Sequence, residues 1–318
     1  MEGTLWLQIT TYLFCVLAVV ILVTKLQRYT KISTHLRWEL YPLAGEKNRP
    51  SGGSYLEEPE WWSNPPEKKS FLEEIKFMGQ EVLFFKEYFH LNRNYWFFVY
   101  PFHIGVFSFT IFLALLLIGA ITALGNISVS AESVNAWGVF LHYATLITGG
   151  TSLILGVLGC IGLLVRRSTD NNLKPYTKRK DYLNLSFVLV VFLTGLFSWL
   201  LVDFNLSIAR EYVYSLITFS PIKNIEPILT SHILLILLLA VYIPFTNIMH
   251  FFAKWFTYHK IRWDDEPNLR GSNLEKRLGS MINQPISWSA PHLQSIMHWS
   301  DAALITTEEE HGPRFRKG

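Results

Sequence analysis

Five stretches of the chain are apolar almost without interruption: roughly residues 5–25, 97–124, 137–165, 183–202 and 228–257. About 20 apolar residues cross a bilayer, so each stretch predicts a membrane-spanning helix. The segment from 26 to 96 breaks this pattern. Its front half is rich in Pro, Gly and Ser, which predicts irregular chain. From Pro66 onward, Phe71, Ile75, Met78, Val82 and Phe85 recur at helical spacing, which predicts an amphipathic helix on a membrane surface or against a partner. The segment from 258 to 318 is polar and poorly periodic, yet it holds Trp263, Trp288 and Trp299, a pattern that predicts docking onto another protein. The expected organisation is a transmembrane anchor over 1–25, a loop with an amphipathic helix over 26–96, a transmembrane bundle over 97–257 and a partner-docking tail over 258–318.

Charge orients this arrangement. Lys and Arg number ten in 26–96, six in 166–181 and eight in 258–318, against none in 125–136 and two, Arg210 and Lys223, in 203–227. Basic loops stay on the inner side, so the N-terminus is expected outside and the C-terminus inside. The fold class expected is therefore all-α integral membrane with five transmembrane helices. The first span reads as a retained anchor, because no basic stretch precedes it and no A-x-A site follows. In 26–96 the ten cations meet ten carboxylates, which argues against a nucleic-acid patch. The two cysteines, Cys15 and Cys160, lie in spans and cannot by themselves hold an iron–sulfur cluster.

Of ten histidines, four lie in spans: His103, His142, His232 and His250. An ionisable group in a span is expensive and marks function by default. His232 and His250 are eighteen residues apart, five whole turns of an ideal helix, which predicts one shared face and about 27 Å between them. Depth pairs His103 with His250 near the inner surface and His142 with His232 near the outer one. Two His/His pairs at two depths match what two haem b groups need, each iron taking one axial nitrogen from each of two helices. The expected core is thus a di-haem four-helix bundle. Zinc would need four ligands converging at one point. A proton-coupled transporter would carry Asp and Glu in its spans. A haem-free anchor or scaffold with structural histidines remains the competing class. The small residues Gly149, Gly150, Ser152, Gly156, Gly159 and Gly162 in the third span suit either close helix packing or a flat macrocycle. Pro244 should bend the last span between its histidines.

The stretches that carry these features, "YPFHIGVF", "GGTSLILGVLGCIGLLVRR" and "SHILLILLLAVYIPFTNIMHFF", resemble the gamma subunit family of respiratory nitrate reductase, five-helix membrane cytochromes b. The resemblance implies haem ligation by His103, His232 and His250. It departs at Leu113, where the family has a further haem histidine, and His142 is the expected substitute. The family's quinol-pocket lysine has no counterpart in "GNISVSAESVN". The stretches "HLRWELYP", "GGSYLEEPEWW" and "QPISWSAPH" resemble relatives encoded with iron–sulfur subunits of the heterodisulfide-reductase D type.

The resulting expectation is a subunit of a quinone-linked oxidoreductase in the inner membrane of a prokaryote. It would pass electrons between a quinone pool, menaquinone by preference, and an inner-face iron–sulfur partner. Two haem b groups would serve it, the inner on His103 and His250 and the outer on His142 and His232. Glu132, Asn135 and Tyr143 flank the outer histidines and are the candidate quinone contacts.

Overall fold

The computed structural model describes residues 4–31, 71–222, 225–253, 270–289 and 296–304. Among them the chain is helical, with no strand beyond one isolated bridge between Pro285 and His298. It divides into two compact units, one of Met1–Lys25 with Met78–His250, the other of Leu26–Phe77 with Phe251–Gly318.

The helices in chain order are α1 (Leu5–Thr30), α2 (Phe71–Phe84), α3 (Lys86–Leu91), α4 (Arg93–Leu124), α5 (Ala136–Thr169), α6 (Arg179–Leu201), α7 (Ser207–Thr218) and α8 (Pro227–Tyr242). After the last come α9 (Asn273–Ile282) and α10 (Trp299–Ala302). Among the described residues five segments are long and apolar enough to cross a membrane: α1, α4, α5, α6 and Pro227–Phe245. They fall on the five expected spans: α4 and α6 start four residues earlier than expected, and the last apolar helix stops at Phe245 rather than running to 257. Asn92 accepts from Tyr95 N at 3.1 Å ahead of α4, and Asn135 accepts from Trp137 N at 2.9 Å ahead of α5.

The bundle is built on α5. Its glycines let neighbouring helices approach backbone to backbone. A Cβ on Gly105 of α4 would lie 2.5 Å from Gly156 N, and one on Gly159 would strike the Phe102 backbone. On the facing side of α5, a Cβ on Gly156 would meet the Phe192 ring of α6 at 2.6 Å. The small-residue stripe therefore serves helix packing, the first of the two uses its sequence allowed. Val99, Val157, Cys160, Val188 and Phe192 fill the core that forms between α4, α5 and α6.

Helix α1 is more than a greasy anchor. Gln8 Nε2 donates to Ser215 Oγ and to Ser220 O, both at 2.9 Å, Thr11 and the Tyr212 hydroxyl are 2.6 Å apart, and Tyr12 donates to Leu216 O at 2.6 Å. One polar stripe thus fastens α1 to the short helix α7 and the turn after it. Replacing Gln8 by leucine strands the acceptor at Ser220, a loss of about 1 kcal/mol for an interhelical bond in a membrane bundle. A thermal melt in detergent should drop by roughly 3 °C, and an unchanged melt would show that the stripe contributes nothing.

The last span is not one continuous helix. Ile243–Phe245 tightens into a 3-10 turn, Thr246 is extended at φ −110°, ψ 171°, and a second 3-10 turn, Asn247–Met249, precedes His250. Pro244 has no N–H to give the preceding turn and its ring crowds the carbonyl four residues back. The expected five-turn register between His232 and His250 is therefore lost.

In the second unit, Ser272 Oγ caps α9 by accepting from Glu275 N at 3.1 Å. Ile286 is buried, its N–H donating to Met297 O at 2.7 Å, and Trp288 packs 6.3 Å from Trp299. Part of the tail from 258 onward is folded. Trp263, residues 32–70 and residues 290–295 lie outside the described residues, so the segment 26–96 is described only over 26–31, where α1 continues to Thr30, and from Phe71. There the amphipathic helix forms as expected but ends at Phe84, because Phe85 turns to φ +51°.

Candidate functional site

His103 sits in α4 two residues after Pro101, and His250 follows the broken turn of the last span. Their imidazole centres lie 6.2 Å apart with the rings at 76°. Phe85 packs 4.5 Å and Phe102 5.2 Å from the His103 ring, giving the pair an aromatic wall. His103 Nδ1 lies 2.8 Å from Val99 O, and His250 Nδ1 lies 3.0 Å from Asn247 O. A carbonyl can only accept, so in both rings Nδ1 carries the proton and Nε2 the lone pair. That is the tautomer a metal-binding imidazole adopts, oriented by a carbonyl behind it.

The spacing admits an iron. A bond from a transition metal to imidazole nitrogen is about 2 Å. The nitrogen lies roughly 1 Å from the centre of a five-membered ring with ~1.3 Å bonds. Two such ligands on opposite sides of one metal then have centres about 6 Å apart. The ring-centre separation of the inner pair is the one a bis-imidazole iron requires.

Asn247 has support of its own. Its amide donates to Asp181 Oδ1 at 3.2 Å, and Asp181 Oδ2 accepts from Lys178 N at 2.9 Å at the start of α6. The helix start of α6 thereby anchors the turn whose carbonyl orients His250.

His142 and His232 are placed differently. No ring contact joins them among the described residues, and they line separate cavities. His232 borders an apolar cavity of about 190 Å³ with Leu113, Phe109 and Gly195. Its Nδ1 is 3.2 Å from Thr194 Oγ1, whose hydroxyl already donates to Val190 O, so His232 is the donor and Nε2 again bears the lone pair. The position that carries the family's missing ligand, Leu113, does share this cavity with His232.

His142 borders a second cavity of about 440 Å³, with Glu132, Asn205, Arg210, Glu211 and Tyr214. Arg210 Nη2 lies 3.2 Å from His142 Nδ1 and also donates to Asn205 O. A guanidinium can only donate, so His142 accepts at Nδ1 and its proton sits on Nε2. This is the reverse of the other three rings. The outer pair, so arranged, does not fit a shared iron. Burial pushes the Arg210 guanidinium below its ordinary value, and the Asp203 carboxylate partly offsets that. Arginine stays charged through such shifts.

Of the three candidate quinone contacts, Glu132 lines the cavity beside His142. Asn135 is spent on the cap of α5, and Tyr143 is exposed, its ring edge-on to His142 at 5.1 Å. Arg210 is the residue that sequence reasoning missed. The signal was present: Arg210 is one of only two cations between 203 and 227, and it lies inside the short helix α7.

Comparison with known proteins gives the family. No solved structure matches the chain. A cytochrome b-like subunit of an Hdr-like menaquinol oxidoreductase from Archaeoglobus profundus is 27% identical over 137 residues, 37% of this chain and 41% of that protein. The chain thus spans under half the length of that relative. The model of the nitrate reductase gamma subunit family matches residues 91–264, which include α4 to α8 and all four span histidines. With more than half of its length so matched, the chain belongs to the nitrate reductase gamma subunit family.

Proposed function

We propose that the chain is the membrane cytochrome b subunit of a quinone-linked respiratory oxidoreductase. It exchanges electrons with a menaquinone-type pool and with an inner-face iron–sulfur partner of the heterodisulfide-reductase D type. The observation that carries this reading is the 6.2 Å separation of His103 and His250. Those residues hold a haem b, and the bound group supplies one-electron exchange at a potential set by its ligands and surroundings. The chain's own part is positional. Val99 O and Asn247 O fix the ring tautomers, while Phe85 and Phe102 keep water from the His103 ring. The family and the relative's name both support a redox subunit in a membrane.

The orientation proposed, N-terminus outside and C-terminus inside in the inner membrane of a prokaryote, follows from the basic loops. It puts His103 and His250 on the side of the partner. The second haem expected on His142 and His232 would require Arg210 to release His142 and the two rings to meet; no step is assigned to it.

A reduced-minus-oxidised absorption spectrum of the purified chain tests the reading. Haem b bands are expected, and their absence would leave the haem-free anchor. The transporter alternative predicts solute uptake by liposomes holding this chain alone, and the proposed function predicts none.

A further inference from the structure

We infer that the last turn of α2 and the short helix α3 form a lipid-seated foot. Residues 82–91 rest at the boundary between head groups and acyl chains of one leaflet, held there by apolar area and not by charge. The amphipathic pattern left two surroundings open, a membrane surface or a partner protein. Three observations choose the first, and none of them depends on iron or on a quinol.

The first is the breadth of the exposed apolar surface. Val82, Leu83 and Phe84 are 45%, 51% and 57% exposed, and Leu91 on α3 is 74% exposed. Successive helical residues are about 100° apart, so the three that end α2 cover an arc of about 200°. A protein groove covers one face of a helix, whereas lipid closes round every side left open.

The second is height. Trp96 Nε1 donates to Phe84 O at 2.9 Å, and the Trp96 ring packs edge-on to Phe89 at 5.2 Å. Trp96 is the fourth residue of α4, about 5 Å along its axis, and it stacks on Tyr100 at 4.4 Å. Trp and Tyr at the mouth of a span mark the membrane interface. The foot is therefore tied to α4 where that helix enters the bilayer, beside the exposed Phe97.

The third is charge. Residues 78–100 carry Lys86 and Arg93 against Glu81 and Glu87. Lys86 Nζ donates to Gln80 Oε1 at 3.1 Å, and the Arg93 guanidinium lies 4.8 Å over the Phe89 ring. Both cations are thus engaged locally, and with the charges balanced, attraction to anionic head groups contributes little. Apolar area remains.

The foot bears on the histidine pair. Phe85, at the break between α2 and α3, has φ +51°, a strained conformation for a bulky residue that persists only where its surroundings hold it. The contacts of Trp96 with Phe84 O and with Phe89 fix the chain on both sides of the break. They lay the Phe85 ring 4.5 Å from that of His103.

The test uses the full-length chain in nanodiscs, spin-labelled at one introduced cysteine in a Cys15→Ser background; Cys160 is fully buried and escapes the label. Leu83→Cys and Leu91→Cys are compared with Tyr176→Cys, in the turn between α5 and α6, and with Leu158→Cys, on the exposed side of α5. Collision with oxygen, which concentrates in lipid, and with a water-soluble nickel chelate reports depth. The labels at 83 and 91 should lie about 5–10 Å into the head-group and acyl boundary. They should do so in phosphatidylcholine and phosphatidylglycerol discs alike, at low and at high salt. Either label suffices should the other variant fail to fold.

Labels as open to the nickel chelate as that of Tyr176→Cys would leave the foot in water and overturn the inference. Labels shielded from oxygen and nickel together would put the foot against protein and overturn it as well. A depth found only in phosphatidylglycerol and lost at high salt would make charge the anchor, which overturns it too.

Discussion

His250→Ala should abolish one low-spin bis-imidazole haem signal completely, and His103→Ala should abolish the same signal. The shared loss is the point. Ring centres 6.2 Å apart match the separation that a shared iron would require, so on the proposed function each variant removes half of a single ligand set. Other haem in the protein would keep its bands, because neither residue reaches the cavities of His142 and His232. Misfolding is a poor rival explanation for His250, which is exposed and lies beyond the break at Pro244. Exposed substitutions of this kind usually change stability by under about 0.5 kcal/mol. The check is electron paramagnetic resonance of the oxidised protein beside the pyridine haem count. Two variants that each lose a different signal would separate His103 from His250 and remove the proposed site.

The spans were readable because membrane helices obey one dominant constraint, continuous apolar length. α1, α4, α5 and α6 appear where the pattern placed them. The last span shows the limit of helical arithmetic. Five turns separate His232 from His250 only if the helix is continuous, and Pro244 takes that condition away. Depth was the more durable coordinate, for it set His103 beside His250 without needing the register. The same reasoning paired His142 with His232, whose rings make no contact. Depth fixes height in a bundle but not the direction a side chain points around its helix, and that direction is set by packing. At His142 it is set by Arg210 on α7, a helix of 12 residues. Such a helix is too short to register as a span and was read as loop. The glycines of α5 posed a different problem, since small residues look alike in sequence whether they admit a neighbouring backbone or a cofactor. Only the positions of Gly105, Phe102 and Phe192 decide it.

Gly159→Ala should destabilise the bundle and disturb the haem signal together, whereas Gly79→Ala should do neither. Both substitutions replace glycine with alanine inside a helix, and by helix propensity alone each would stabilise by about 1 kcal/mol. At Gly79 nothing lies within 4 Å of the new Cβ, so that gain is all there is. At Gly159 the Cβ lands 2.5 Å from Phe102 N. Backbone cannot rotate aside as a side chain can, so α4 must shift as a unit, at an overpacking cost of about 1–3 kcal/mol. Phe102 directly precedes His103 in α4, so the displacement is delivered to the ring that faces His250. A melt lowered by several degrees, about 2–4 °C per kcal/mol for a domain of this size, should therefore come with a shifted midpoint potential. If Gly159→Ala lowered the melt yet left the potential untouched, the α4–α5 contact would be structural only, and the geometry of the histidine pair would be held by the Asn247–Asp181 side instead.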